Sequence, residues 1–195
     1  YSYACTTTTY SNRTSLAYTL DSGERAVFSQ VDADYLMVFL IFDAAFNRTF
    51  PNSSRLLQGN WEAPDPVDWV SRLNAAITST ARPVVLVAHS LSTIATTRWA
   101  AGASPQTLAK VAAAFLVAVT DVENPDPSFD PVRSFAPVPM QPLPFPTAVI
   151  ASRNDPRVSL ARAEAFAAVW GAEFHDAGTL GHMGNDDRLG LWPEG

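Results

Sequence analysis

Cysteine is nearly absent. Cys5 is the only one, which leaves no disulfide framework and no thiolate metal site. Histidine is scarce too: His89, His175 and His182 show no metal-ligand spacing among themselves, so no metal and no other cofactor is expected. Positive charge is in the minority, with 13 Lys and Arg against 19 Asp and Glu for a formal net charge of −6, and no basic stripe. That balance argues against nucleic acid and anionic membrane surfaces as partners. The longest apolar run, Tyr35 to Phe42, is too short to span a bilayer. No stretch reads as a secretion signal, and a cytoplasmic location is the expectation. Glycine is sparse as well, and Gly23 is the only one ahead of Gly59, so the front of the chain has little with which to build a glycine-dependent turn. No internal repeat is visible, and Thr6 to Thr9 is the only low-complexity patch.

What is there fits one domain. At 195 residues and 47% hydrophobic, the chain has ample material for a single core over residues 1–195. From Arg55 onward strands and helices alternate. Arg55 to Gln58 reads as a short edge or inner strand. Pro66 suits the first turn of a helix, and Val70, Leu73 and Ile77 recur at helical spacing through Thr78. Arg82 to Ala88, Ala109 to Val119 and Pro146 to Ala151 hold near-continuous apolar strands, as expected of parallel strands covered on both faces. Leu160 to Trp170 is helical, with Ala163, Phe166, Ala167 and Trp170 on one face and Gly171 as the stop. Ala172 to Asp176 is a last short strand. The alternation predicts an α/β fold: a mostly parallel, doubly wound sheet with right-handed crossovers and helices on both faces.

The chemistry-bearing residues sit at the carboxyl ends of three of those strands. The apolar run Val84 to Val87 ends at Ala88-His89-Ser90, and Leu91 to Gly102 reads as a helix. A strand running into a helix through a serine is the layout of a nucleophile elbow. It sets the Ser90 hydroxyl over the helix N-terminus, where the Leu91 N–H points at an oxygen that becomes negative when Ser90 attacks a carbonyl. The alternative is a serine that caps a helix after a buried strand. Downstream, Asp155 lies in Ser152-Arg153-Asn154-Asp155-Pro156, just past a strand end, and His182 lies in Thr179-Leu180-Gly181-His182-Met183-Gly184 after the last strand. The chain order Ser, Asp, His is that of α/β enzymes with this elbow.

Rivals exist for these roles. Asp121 also follows a strand, but Asn154 and Pro156 form a tight turn around Asp155, which is preferred. His89 adjoins Ser90, yet neighbours on an elbow point apart, so it is expected beside the site or at the core edge and not as the base. His175 falls inside a strand pattern and receives no role. Trp61 and Trp69 either line a cleft or pack in the core. Seven of the fifteen prolines fall between Asp121 and Phe145, a density that forbids a regular helix. The stretch reads as an extended loop, which either wraps toward the site or simply connects across the surface.

Taken together, Trp61-Glu62-Ala63-Pro64 with Asp68-Trp69, Ala88-His89-Ser90-Leu91, Ser152 to Pro156, and Gly181-His182 leading to Leu191-Trp192-Pro193-Glu194-Gly195 resemble the small serine hydrolases of the α/β-hydrolase superfamily grouped around retinoblastoma-binding protein 9. The resemblance runs from about Phe50 to Gly195. It implies a three-layer α/β-hydrolase-like fold, Ser90 as nucleophile, His182 as base and Asp155 as the acid that orients it. Two departures matter. Ser92 stands where the family has glycine two residues after the nucleophile, and the first third of the chain lacks the family's opening Pro-Gly loop. A second oxyanion donor normally follows an early strand; here the candidates are Arg25 to Gln30 and Tyr35 to Phe42. Two readings stand: either Asp43-Ala44-Ala45 is that loop, or Asp43 to Thr49 extends a helix. Tyr1 to Thr19 is expected to be disordered or loosely packed, and Leu191 to Gly195 reads as the lead-in to a terminal helix that the chain lacks. The expected function is hydrolysis of small carboxylic esters through an acyl-serine. The alternatives are acyl transfer through the same intermediate and a catalytically silent binding protein on the same fold.

Overall fold

A computed structural model of the chain describes residues 8–10, 13–19, 25–32, 36–40 and 53–184. Strands β1 (Thr8–Tyr10), β2 (Arg13–Thr19) and β3 (Arg25–Asp32) pair antiparallel in a sheet of their own. Tyr1 to Thr19, for which disorder or loose packing is expected, contributes β1 and β2 to that sheet. The Thr and Tyr content that suggests a polar coil also suits a pleated surface.

The second sheet has six parallel strands. In chain order they are β4 (Leu36–Leu40), β5 (Ser53–Arg55), β6 (Val84–His89), β7 (Val111–Val117), β8 (Thr147–Ala151) and β9 (Glu173–Asp176). Across the sheet they lie β5-β4-β6-β7-β8-β9. Helix α1 (Pro66–Thr78) precedes β6, α2 (Leu91–Gly102) and the short α3 (Pro105–Leu108) join β6 to β7, and α4 (Leu160–Trp170) joins β8 to β9. These crossovers all step the same way across the sheet. Right-handed connection therefore puts α1, α2 and α4 on one face. There Val84, Leu86 and Ala88 of β6, Leu116 of β7 and Val149 of β8 join the core cluster with the helices. The alternate residues Val85, Phe115 and Val117 point to the opposite face and are only 4%, 4% and 5% exposed. Both faces are covered, which is why these strands read as unbroken apolar runs.

The helices begin and end where the sequence places them. The Asp65 carboxylate accepts from Val67 N at 2.9 Å ahead of α1, with Pro66 as first residue, and the Ser159 hydroxyl accepts from Arg162 N at 3.2 Å ahead of α4. The buried stripe of α1 is Trp69, Leu73 and Ile77, so Trp69 completes it and Val70 sits at its margin. Helix α2 is buried almost all round, and its threonines hydrogen-bond their own helix: Thr96 Oγ1 to Ser92 O at 2.8 Å and Thr97 Oγ1 to Ile94 O at 2.9 Å. Three buried tryptophans anchor the core, and each indole N–H has an acceptor: Trp69 on Gly59 O, Trp99 on Asn74 Oδ1 and Trp170 on Pro139 O.

Gly171 ends α4 in the left-handed region, φ 68° and ψ 28°. A Cβ there would meet nothing within 4 Å, so any cost of a side chain is conformational alone. Gly171→Ala is expected to lower the unfolding free energy by about 1–2 kcal/mol, and Gly171→Asn by less, as read from urea titrations. Equal stability of Gly171→Ala and the parent would contradict the αL cap.

The proline-rich stretch is not simply extended. It contains a 3-10 helix, Pro127–Phe135, with Pro131 inside it. Proline removes a donor that α-helical bonding needs, but a short 3-10 segment demands fewer bonds. The Asp126 carboxylate caps it by accepting from Ser128 N at 2.8 Å, and that bond holds the Asp126 carboxyl below its usual value. The stretch is pinned to α2 by Arg98 Nη1 donating to Phe135 O and Pro137 O, both at 3.0 Å, and to α4 by Leu143 N donating to Trp170 O at 2.9 Å. Among the described residues no helix is long and apolar enough to cross a membrane.

Candidate active site

Ser90 stands at the sharp turn from β6 into α2 with φ 58° and ψ −129°. That is a region glycine favours and other residues enter at a cost of roughly 1–3 kcal/mol. The turn is held by Ser90 N donating to Val117 O of β7 at 3.0 Å and by Thr93 Oγ1 donating to Ser90 O at 2.6 Å. Leu91 is the first residue of α2, so its N–H has no intrahelical partner and lies at the positive end of the helix.

Asp155 and His182 arrive on loops after β8 and β9, and the motif around Asp155 stitches those loops together. Ser152 Oγ accepts from Leu180 N, and Asn154 Oδ1 accepts from Gly181 N, both at 2.8 Å. Arg153 N donates to Gly178 O at 2.6 Å. Gly181, at φ 64°, makes the turn that presents His182.

The three side chains form one hydrogen-bonded line. His182 Nε2 lies 2.7 Å from Ser90 Oγ, and His182 Nδ1 lies 2.9 Å from each oxygen of Asp155. A carboxylate only accepts, so Nδ1 carries the hydrogen, and Nε2 then accepts from the Ser90 hydroxyl. The Asp155 side chain is fully shielded, and the His182 side chain is 20% exposed. The rivals fall elsewhere. Asp121 Oδ2 faces Arg162 Nε at 3.4 Å, and its Oδ1 accepts from Glu123 N. His89 Nε2 donates to the backbone carbonyl of His182 at 2.8 Å, which places it behind the loop and not on the serine. His175 lies in β9, with Nε2 3.3 Å from Glu173 Oε1.

Sequence reasoning missed two neighbours. Thr120 is buried just past β7, its Oγ1 3.1 Å from Ser90 Oγ. Because the serine hydrogen is directed at His182, Thr120 is the donor in that pair. Arg157, two residues after Asp155, gives its backbone N–H to Asp155 Oδ1 at 2.7 Å. Both line a cleft of about 320 Å³ that opens over Ser90 and His182, walled also by Trp61, Trp69, Pro131 and Val132. The two tryptophans meet edge to face with centroids 4.8 Å apart, so Trp69 both packs in the core and backs the cleft. Pro131 and Val132 bring the proline-rich stretch to the serine.

On the other side of β6, parallel β4 runs in register with Leu40 opposite Ala88. The chain leaving Leu40 thus departs from the level of the serine turn. Asp43 to Thr49, on which the choice of a second oxyanion donor depends, lie outside the described residues, as do Leu191 to Gly195. Among the described residues no group of three or more His, Cys, Asp or Glu side chains is placed to hold a metal.

A parallel sheet carrying a serine at the turn after a central strand, with a carboxylate and a histidine on the loops after β8 and β9, defines an α/β-hydrolase. The serine hydrolase family matches residues 42–195, and the chain belongs to that family. Among solved structures it is similar to a YdeN-like hydrolase of Pectobacterium atrosepticum, at 26% identity and TM-score 0.69 over 82% of this chain and 85% of that one. The YdeN gene product of B. subtilis aligns at 20% identity and TM-score 0.59 over 78% and 89% of the two chains. An esterase domain from Rhodothermus marinus aligns at 15% identity and TM-score 0.57 over 92% and 97%. These last two share the fold. No curated protein matches the chain in sequence.

Proposed function

We propose that Ser90, His182 and Asp155 are a catalytic triad that hydrolyses small carboxylic esters through an acyl-serine intermediate. The observation that carries this reading is the unbroken line from Ser90 Oγ through His182 to the shielded Asp155. A serine hydroxyl is a poor nucleophile until a base in hydrogen-bond reach takes its proton. As Ser90 Oγ bonds to the ester carbonyl carbon, its proton passes to His182 Nε2. Asp155 holds the imidazole in that tautomer and stabilises the imidazolium. The tetrahedral oxyanion faces the Leu91 N–H, and a lost donor of this kind costs on the order of 100–1000-fold in turnover. Collapse expels the alcohol, which takes the proton from His182. Water then attacks the acyl-serine with His182 again as base, and carboxylate and free Ser90 result. The finer grouping around retinoblastoma-binding protein 9 belongs to this reading and is supported by the tryptophan motif, since Trp61 and Trp69 border the cleft.

A fluorophosphonate probe tests the proposal. The intact protein is expected to take up one label, located on the Ser90 peptide by mass spectrometry, and to turn over p-nitrophenyl acetate slowly. An intact protein that takes no label refutes the enzyme reading and leaves a binding protein on a hydrolase fold. Ester products that shift from acid to new ester or thioester when alcohols or thiols are added would assign acyl transfer in place of hydrolysis.

A further inference from the structure

Among the described residues, one permanent charge lines the cleft over Ser90, and it is positive. Arg157 lines it, while no Asp or Glu does, and Asp155 has no exposed side-chain surface behind His182. The neighbouring arginines are neutralised: Arg133 by Asp130, Arg153 by Asp176, and Arg162 by Asp121 and Glu123. Arg157 differs. Among the described residues its guanidinium faces no carboxylate, and it lies over the Phe129 ring, 5.6 Å from the centroid. A cation resting against an aromatic face is restrained in position without being neutralised. The backbone is held too, because Arg157 N donates to Asp155 Oδ1 at 2.7 Å, which ties its place to the carboxylate that orients His182. In a chain of net charge −6, an arginine with no carboxylate partner among the described residues, on the wall of the cleft that holds Ser90, is a local reversal of sign.

We infer that Arg157 recognises an anionic group on the ester, so that the substrate class is carboxylic esters bearing a second, free carboxylate. The inference rests on Ser90 being the nucleophile. The planar fork of a guanidinium matches a carboxylate through two parallel N–H bonds, which an ammonium cannot reproduce. Arg157 is exposed, so water weakens the attraction. The cleft walls Trp61, Trp69, Pro131 and Val132 exclude part of that water and leave the rest of the substrate an apolar seat. The protein's overall negative charge gives an anionic ester no long-range attraction, so the selectivity arises in the bound state and not on approach.

The test compares matched esters whose second carboxyl is either free or methylated. Mono-p-nitrophenyl adipate against its methyl ester puts the carboxylate on the acyl side, and 4-acetoxybenzoate against methyl 4-acetoxybenzoate puts it on the leaving side. For one of these pairs the parent is expected to prefer the anion by about tenfold in kcat/KM over the buffer rate, the size of one charge-assisted contact; which pair does so tells the side. Arg157→Gln is expected to bring the anion-to-neutral ratio near one, Arg157→Glu to favour the neutral ester, and Arg157→Lys to keep part of the preference. The ratio is the readout, so a general loss of rate in a variant does not imitate the result. A parent that hydrolyses the neutral esters while the ratio stays the same in the Gln and Glu variants overturns the role of Arg157 and leaves Ser90 standing. A parent that takes neither ester nor fluorophosphonate overturns both.

Discussion

Ser90→Ala is expected to lose on the order of 10^6-fold in kcat, which on p-nitrophenyl acetate means the rate of buffer alone, and to take up no fluorophosphonate. The variant should still fold, because the turn is held by bonds that do not involve the hydroxyl: Ser90 N to Val117 O and Thr93 Oγ1 to Ser90 O. A second variant separates chemistry from backbone. At φ 58° and ψ −129° alanine inherits the strain of serine, whereas glycine relieves it. Ser90→Gly should therefore be as inactive as Ser90→Ala yet more stable by about 1 kcal/mol. Stabilisation without activity would mark position 90 as one where folding free energy is given up to present a side chain. Residual turnover in both variants, at anything near the parent rate, would move the nucleophile elsewhere.

How far the sequence reveals this site depends on which contacts are local. The helices Pro66–Thr78, Leu91–Gly102 and Leu160–Trp170 are readable to the residue, because capping side chains, first-turn prolines and Gly171 act within a few positions of the chain. The meeting of Ser90, Asp155 and His182 is legible through topology, since parallel strands all deliver their carboxyl ends to the same edge. Periodicity fails where two adjacent residues can both be buried. Val70 fits the helical spacing, but Trp69 takes the core because its indole N–H finds Gly59 O. The 3-10 helix in the proline-rich stretch was hidden by a rule about α-helices. Thr120 and Arg157 carry no motif of their own. Thr120 reaches the serine because β7 lies beside β6, and Arg157 reaches the cleft because the turn after β8 folds back on Asp155. Neither contact is written in spacing along the chain.

A second large effect is expected at Asp155. Asp155→Asn keeps the volume and the bond from Arg157 N, so the loop should remain in place. What changes is the partner of His182 Nδ1. Both carboxylate oxygens now lie 2.9 Å from that nitrogen and only accept. An amide can turn its NH2 toward Nδ1 and fix the other tautomer, in which Nε2 carries a hydrogen and meets the Ser90 hydroxyl as a donor. The base is then blocked, and kcat should fall by about 10^4-fold while the fold is unchanged by circular dichroism. Asp121→Asn is the matched control, because Asp121 is engaged by Arg162 and by the Glu123 N–H and should stay within a few-fold of the parent. The pair of variants decides the acid by contrast. Full activity in Asp155→Asn together with a collapse in Asp121→Asn would transfer the role to Asp121 and require His182 to swing away from the geometry seen here. A collapse in Asp155→Asn alone means that the carboxylate acts by holding one imidazole hydrogen in place, which is the step that makes Ser90 a nucleophile at all.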